Sequence, residues 1–427
     1  MAQTLFTNVM VFDGSGKKLF PGEVLIQGNR IQKVAKGKDQ IARDGATVVD
    51  GGGASLMPGL TEAHAHITYT NCAALKEIGD MPPEEHTLHT AANAKLMLDC
   101  GFTSLFSAAG SKPRLEIAVR NWINEGKIPG PRFKAASPEI TSTGGLGDER
   151  QLHMYHHSIE IIADGADEVR RACRLMVREG VDTLKINISG DQFCMNSVGA
   201  AMLSFTEEEV AAAAEVGHSR GVNLACHARS DESIRLALKY HFNVIYHADF
   251  ATNETLDMLE ARKKEIFLAP AAGAVYASAY EAADWGITKE VAQHMGLFHK
   301  MENTERVYRE ARKRGLRVLP GGDYGFAWTP IGTNARDFEH FVNMFGYTPA
   351  EVLKATTKYG GELMGMGDEL GLIKAGYLAD MIMVDGDVLE DITLFQDRDN
   401  FLMIMKDGEY HKEPTPRRAR QRRKKAA

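Results

Sequence analysis

The spacing of hydrophobic positions changes along the chain and divides it into stretches of different character. From about residue 56 to 324, short apolar runs rich in β-branched and aromatic residues alternate with longer segments of helical periodicity. Strands buried on both faces read as near-continuous apolar runs, so this alternation predicts repeated βα units around a parallel sheet. Strand candidates fall at 56–66, 102–108, 132–137, 183–189, 223–228, 244–250, 266–271 and 317–323. Helical segments intervene, for instance at 87–100, 166–179, 206–220, 231–241 and 304–314. Eight strands with crossover helices predict an α/β fold, a (β/α)8 TIM barrel, whose reactive groups gather at the carboxyl ends of the strands.

The flanks follow a different rule. Residues 2–49 alternate and turn like antiparallel strands, at 5–12, 23–27 and 30–35, with Gly14, Gly22 and Gly28 between them. Strand-like runs return at 379–385 and 401–406, around Asp407-Gly408. Neither piece is long enough to bury a core alone. Together they predict a small composite β-sandwich, residues 1–56 with 372–411, beside a barrel spanning 57–371. Residues 412–427 remain as a basic tail after Pro414 and Pro416, with the composition of a solvated, disordered end.

Composition narrows the class. A chain of 427 residues has room for one large domain with a satellite. The net charge of -7 gives no reason to expect a nucleic-acid partner. No run approaches the ~20 apolar residues needed to cross a bilayer, and no basic segment leads into an apolar one at the start, so no membrane partner and a cytoplasmic address are expected. The cysteines, Cys72, Cys100, Cys173, Cys194 and Cys226, are odd in number and lack a Cys-x-x-Cys spacing. That argues against a disulfide framework or a thiolate metal site.

The candidate chemistry begins with His64 and His66, at the end of the first barrel strand. Side chains two apart on a strand leave the same face, so both imidazoles can grip one metal ion such as zinc, iron, cobalt or nickel. Taken alone the pair is also compatible with chance among 15 histidines. Further ligand types fall on other predicted strands: Lys185, His227, His247 and Asp323. Each has a plain alternative. A lysine in an apolar strand sits at an edge, is paired or is chemically altered, a lone strand histidine can be a satisfied core group, and Asp323 after Gly321-Gly322 can be a turn residue. Their joint arrival at one end of several strands is what sets them apart. No Gly-x-Ser-x-Gly elbow is present, and Gly51-Gly52-Gly53 lacks the Lys-Ser/Thr ending of a phosphate loop.

This ordered set resembles the metal-dependent amidohydrolase superfamily, in its imidazolonepropionase-like and prolidase-like branch with Xaa-dipeptidases and ochratoxin-type amide hydrolases. The resemblance rests on Pro58-Gly59-Leu60-Thr61-Glu62-Ala63-His64-Ala65-His66, Lys185, His227, His247 and Gly322-Asp323. It continues from Thr348-Pro349 through Ala355-Thr356 to Gly371-Leu372-Ile373-Lys374-Ala375-Gly376-Tyr377-Leu378-Ala379-Asp380. It implies two divalent metal ions, most simply zinc, with His64 and His66 on the more buried ion and His227 and His247 on the more exposed one. It further implies that Lys185 bridges them as an N6-carboxylated lysine, that Asp323 coordinates the buried ion and acts as general base and then acid, and that His247 belongs to the catalytic set. The implied reaction is hydrolysis of an amide bond in N-acyl amino acids, dipeptides or aryl amides. Carbamate, urea or imidazolone-type hydrolysis is the same-site alternative, and a non-catalytic barrel binding a small ligand is the alternative from another class. Relatives also imply a homo-oligomer.

Specificity should reside in loops after the strands. In the loop 141–148, Leu146 stands where prolidase-like relatives often carry a histidine, which favours a more apolar substrate. Other candidates are His153, Tyr155, His156 and His157, then Arg229 and Ser230, then Tyr324, Phe326 and Trp328. An arginine there can pair with a substrate carboxylate, and the aromatics can line an apolar pocket.

Overall fold

Buried apolar runs set the strands of the computed structural model, which describes residues 3–148, 150–155, 157–194 and 199–416. His156 and the basic run 417–425 lie outside the described residues. The chain opens with β1 (Gln3–Val11), β2 (Phe20–Gln27), β3 (Arg30–Lys36), β4 (Ala46–Asp50) and β5 (Ser55–Pro58). The middle contributes β6 (Leu60–Ala65), β7 (Phe102–Ser107), β8 (Arg132–Lys134), β9 (Ala136–Thr141) and β10 (Ile161–Ile162). It continues with β11 (Thr183–Asn187), β12 (Asn223–Ala228), β13 (Val244–His247) and β14 (Phe267–Ala269). The chain closes on β15 (Met381–Val384), β16 (Phe401–Lys406) and β17 (Glu409–Lys412).

Both chain ends enter one eight-stranded sheet in the order β17-β16-β15-β5-β1-β2-β3, with β4 alongside β1. The two termini meet through β5, which runs antiparallel to β15 and parallel to β1. One face buries Phe6, Val9, Val11 and Leu56 against Met381, Met383, Met403 and Met405. The middle strands form parallel sheets in the orders β6-β7-β8 and β10-β9-β11-β12-β13-β14. Helices separate them, stopped where the chain must turn left-handed: Ala166–Glu179 ends at Gly180 and Glu207–Arg220 at Gly221. The second of these also begins with a capping box, Thr206 with Glu209.

Three segments depart from the pattern read in the sequence. The run 56–66 is not one strand, because β5 joins the terminal sheet while β6 joins the parallel one. Gly59 makes the crossing possible, since a Cβ there would collide with the Thr103 side chain. The run 132–137 divides at Ala135, whose carbonyl accepts from the N–H groups of Asp182 and Thr183 and whose own N–H is donated to the Asp182 carboxylate. Residues 317–323 form a single bridge, Leu268 to Val318, in place of a continuous strand. Pro320 has no N–H to give, and Gly321-Gly322 resists extension. The segment is still held on two sides: Leu319 donates to the Leu268 carbonyl, and Ala63 donates to that of Pro320.

Arg132 ties the parallel layer to the terminal sheet. It makes a two-point contact with Asp380, at 2.7 and 3.1 Å, and also reaches Asp407. Among the described residues, no helix is long and apolar enough to cross a membrane.

Candidate active site

β6 delivers His64, and His66 follows one residue past its end, so the period-two argument holds and both rings face the same partner. Asp323 Oδ1 lies 3.1 Å from His66 Nε2 and 3.6 Å from His64 Nε2. His66 Nδ1 sits 3.2 Å from the Ala109 carbonyl, an outer contact that fixes the ring and presents Nε2 inward. His247, the last residue of β13, places its ring 5.1 Å from that of His64 and 4.4 Å from that of His227. Ligand atoms of His64, His247 and Asp323 all fall within 4.8 Å of one another. The Nδ1 atoms of His64 and His247 are buried with no hydrogen-bond partner among the described residues. Buried nitrogens without partners beside a carboxylate are the donor set a divalent cation needs, so these residues fit a metal ion.

The backbone is strained at the same place. His247 and Asp323 hold φ values of 72° and 60°, in the left-handed region that non-glycine residues avoid. Surrounding bonds maintain them. Tyr308 Oη donates to the His247 carbonyl at 2.6 Å. The buried Asp337 carboxyl accepts from the N–H groups of Gly321 and Gly273 at 3.0 and 2.7 Å, fixing the approach to Asp323. Glu62 accepts from the His64 N–H at 3.2 Å. Burial, with Asp337 nearby, pushes the Glu62 carboxyl up to about 8.

Electrostatics favour neutral imidazoles, the ligand form. Burial and the Arg229 charge lower His227 to about 3. Burial, followed by Arg229 and His227, holds His247 well below its ordinary value. His64 is lowered chiefly by burial. Burial alone would raise Asp323, but His64 and His66 outweigh it and keep the carboxyl ionised, far below the usual carboxylate range.

The remaining expected ligands occupy other contacts. Lys185 Nζ donates to Glu139 Oε1 at 2.9 Å and lies 5.0 Å from the Tyr246 ring centre. Asn187 donates to the other Glu139 oxygen at 2.7 Å. His227 points Nε2 at the Gly190 carbonyl, 3.0 Å away. No local pattern in the sequence marks Glu139. Its signal is a carboxylate on a buried strand, but only the β9–β11 register, which sets Lys185 opposite Glu139, brings the two together.

A cavity of about 460 Å³ opens over these groups. Leu146, Arg229, Phe326 and Trp328 line it, as do Glu139, Asp191 and Lys300. Phe326 and Trp328 stack at 5.2 Å. Three expected substrate contacts are not part of this wall: His153 is exposed, Tyr155 is 97% exposed, and Tyr324 is buried against Gly273 and Gly322. His157 is also exposed, and Ser230 caps the helix Asp231–Lys239. Arg229 is in the wall, yet its guanidinium is occupied by Asp191 and Asp249.

Parallel strands and the segment 317–323 bring imidazoles, a lysine and an ionised carboxylate to one cavity, and a family match makes the protein a hydrolase acting on carbon–nitrogen bonds. The model of the amidohydrolase family matches residues 55–410, and the chain belongs to that family, in its imidazolonepropionase-like and prolidase-like branch. Ochratoxinase of Aspergillus niger is 26% identical over 386 residues, covering 84% of this chain and 76% of that protein. Imidazolonepropionase of Rubrobacter xylanophilus is 24% identical over 405 residues, covering 91% and 90%. A crystal structure of a Xaa-Pro dipeptidase with methionine bound in its active site matches with a TM-score of 0.85 at 25% identity, over 96% of this chain and 100% of that one. The family generally uses divalent metals, and these relatives support hydrolysis of amide or peptide bonds.

Proposed function

We propose that this protein is a binuclear metal-dependent amidohydrolase that cleaves the amide bond of N-acyl amino acids, dipeptides or aryl amides, on a (β/α)8 barrel beside a composite β-sandwich. The observation that carries this is the convergence of His64, His247 and Asp323 within 4.8 Å, with two buried imidazole nitrogens left unpartnered among the described residues. His64, His66 and Asp323 would hold an inner zinc ion and His227 and His247 an outer one. Lys185, N6-carboxylated, would lie between them, an anionic oxygen ligand in place of a buried ammonium. Divalent cations held there supply hydroxide near neutral pH and polarise a carbonyl.

The side chains supply the rest of the chemistry. Asp323, ionised and 19% exposed towards the cavity, accepts the proton of the attacking water on a carboxylate oxygen and delivers it to the leaving nitrogen. The strained, hydrogen-bonded backbone at His247 and Asp323 fixes these groups before substrate arrives. Leu146, Phe326 and Trp328 take the apolar part of the substrate and exclude water from it. No covalent enzyme intermediate is required.

The test combines elemental metal analysis of the purified protein with hydrolysis of a panel of N-acyl amino acids, dipeptides and aryl amides, beside carbamates and ureas. Metal-dependent turnover of amides supports the proposal. Full turnover after verified demetallation, or turnover confined to carbamates and ureas, overturns it.

A further inference from the structure

Tyr69 is a cavity group that the hydrolytic chemistry leaves unused. It lies three residues beyond His66, is only 6% exposed, and yet lines the cavity wall. Its ring is held from several sides. It stacks on the His66 imidazole at 4.5 Å with 28° between the planes, and it meets Phe326 edge-on at 5.4 Å. Gly325 leaves room for it, since a Cβ there would come within 2.4 Å of the Tyr69 Cβ. The backbone is fixed as well. The Tyr69 N–H donates to the His66 carbonyl at 2.9 Å. Asn93 Nδ2, on the helix Pro83–Asp99, donates to the carbonyls of Tyr69 and Ile67 at 3.0 and 2.9 Å.

The hydroxyl at the end of this clamped ring is left without a partner: no hydrogen bond to or from Tyr69 Oη occurs among the described residues. Several other donors of the wall are engaged, Lys185 by Glu139, the Arg229 guanidinium by Asp191 and Asp249, and Trp328 Nε1 by Ser278 at 3.0 Å. Lys300 faces Asp191 at 3.8 Å, and Leu146 carries no donor on its side chain. The phenol is next to the reacting groups, as the charges of Glu139 and Asp323 act on it. A phenol keeps its proton at neutral pH, so this one presents an O–H to an acceptor entering the cavity. When hydroxide adds to an amide, the carbonyl oxygen gains negative charge. A donor fixed in advance stabilises that charge more than it stabilises the neutral carbonyl.

We propose that Tyr69 is a catalytic residue whose hydroxyl donates a hydrogen bond to the oxygen of the scissile carbonyl as hydroxide adds to it. The role rests on the amidohydrolase proposal, and the phenol keeps its proton throughout. The test uses the metal-loaded full chain and compares it with Tyr69→Phe, which keeps the ring and removes only the hydroxyl. Turnover is measured on the amides of the panel. Calorimetry compares N-methylphosphonyl derivatives of L-proline, L-leucine and L-phenylalanine, whose tetrahedral phosphorus bears charged oxygens, with the free amino acids, which carry no such oxygen. Tyr69→Phe should bind the same amount of metal by elemental analysis, keep its KM and lose about 10²- to 10³-fold in kcat, the usual worth of one such donor. It should bind the phosphonyl compounds about tenfold or more weakly, as expected for a lost hydrogen bond to a charged group, and the free amino acids as before. Unchanged kcat and phosphonyl affinity would overturn the proposal and leave the ring as packing for His66. Equal weakening of both ligand sets, or loss of metal from the variant, would also overturn it. If the wild type hydrolyses none of the amides while its preference for phosphonyl compounds still depends on the hydroxyl, the hydrolase proposal fails and the donor to a tetrahedral oxyanion stands.

Discussion

At the scale of single residues, Asp323 combines an unusual backbone with an ionised carboxylate in contact with His66. An asparagine keeps the size and the left-handed tolerance but cannot take up a proton. Asp323→Asn should therefore retain its circular dichroism spectrum and lose about 10²- to 10⁴-fold in kcat, the usual worth of a positioned acid–base group. Near-normal turnover in that variant would remove Asp323 from proton transfer. Lys185 presents a different question, because its ammonium is paired with Glu139 in this structure whereas a bridging role needs it as a carbamate. Lys185→Ala should lower the bound metal and regain part of it with added short carboxylic acids, read by elemental analysis. Unchanged metal stoichiometry would show that the Glu139 pair, and not a bridge, is the lysine's resting role.

At the scale of elements, a buried carboxyl links strands that have no direct ladder between them. Glu116, on the helix Leu115–Asn124, accepts from Ser107 Oγ on β7 at 2.9 Å and from the Ala136 N–H on β9 at 3.0 Å. Burial raises it from 4.5 to about 8. The folded protein thus binds a proton that the unfolded chain releases between these values, so this group's contribution to stability is complete below about pH 4.5 and is lost as pH rises through about 8. Glu116→Gln should melt lower overall, because an amide nitrogen cannot accept, but with a flatter decline of Tm between pH 5 and 9. An unchanged slope would mean that Glu116 is ionised throughout. The elements it joins show what a sequence can and cannot reveal. β7, β11, β12 and β13 are legible because each is a run buried on both faces, and β6 places His64 on the face that the two-residue period demands. Glu139 was not legible, since its meaning depends on a pairing register that no local pattern encodes. The break at Gly59 was hidden for a similar reason, as it arises from the Thr103 side chain more than forty residues away. Tyr324 shows the limit of adjacency: closeness to Asp323 in the chain says nothing about which way a side chain leaves a left-handed turn, and Tyr324 is buried near Gly273 and Gly322.

At the scale of the whole molecule, Arg132 is one of the ties between the terminal sheet and the parallel layers, beside a shared apolar core. Its partner Asp380 is almost wholly buried, so removing the cation strands a charge. Arg132→Met should cost about 3–5 kcal/mol, while Arg132→Met combined with Asp380→Asn should cost less, because breaking a buried pair is worse than replacing it. Equal losses in denaturant titrations of the two variants would show the pair to be a surface contact in energetic terms. The way both ends share that sheet also bears on how the protein is made. β1 is synthesised long before some of its partners, since methionines buried in one cluster with Phe6 and Val11 belong to β15 and β16. At about 5–20 residues per second, roughly 20 to 80 s pass before those methionines emerge. Throughout that interval the nascent chain carries β1 without those partners, so chaperone supply during translation should affect its yield.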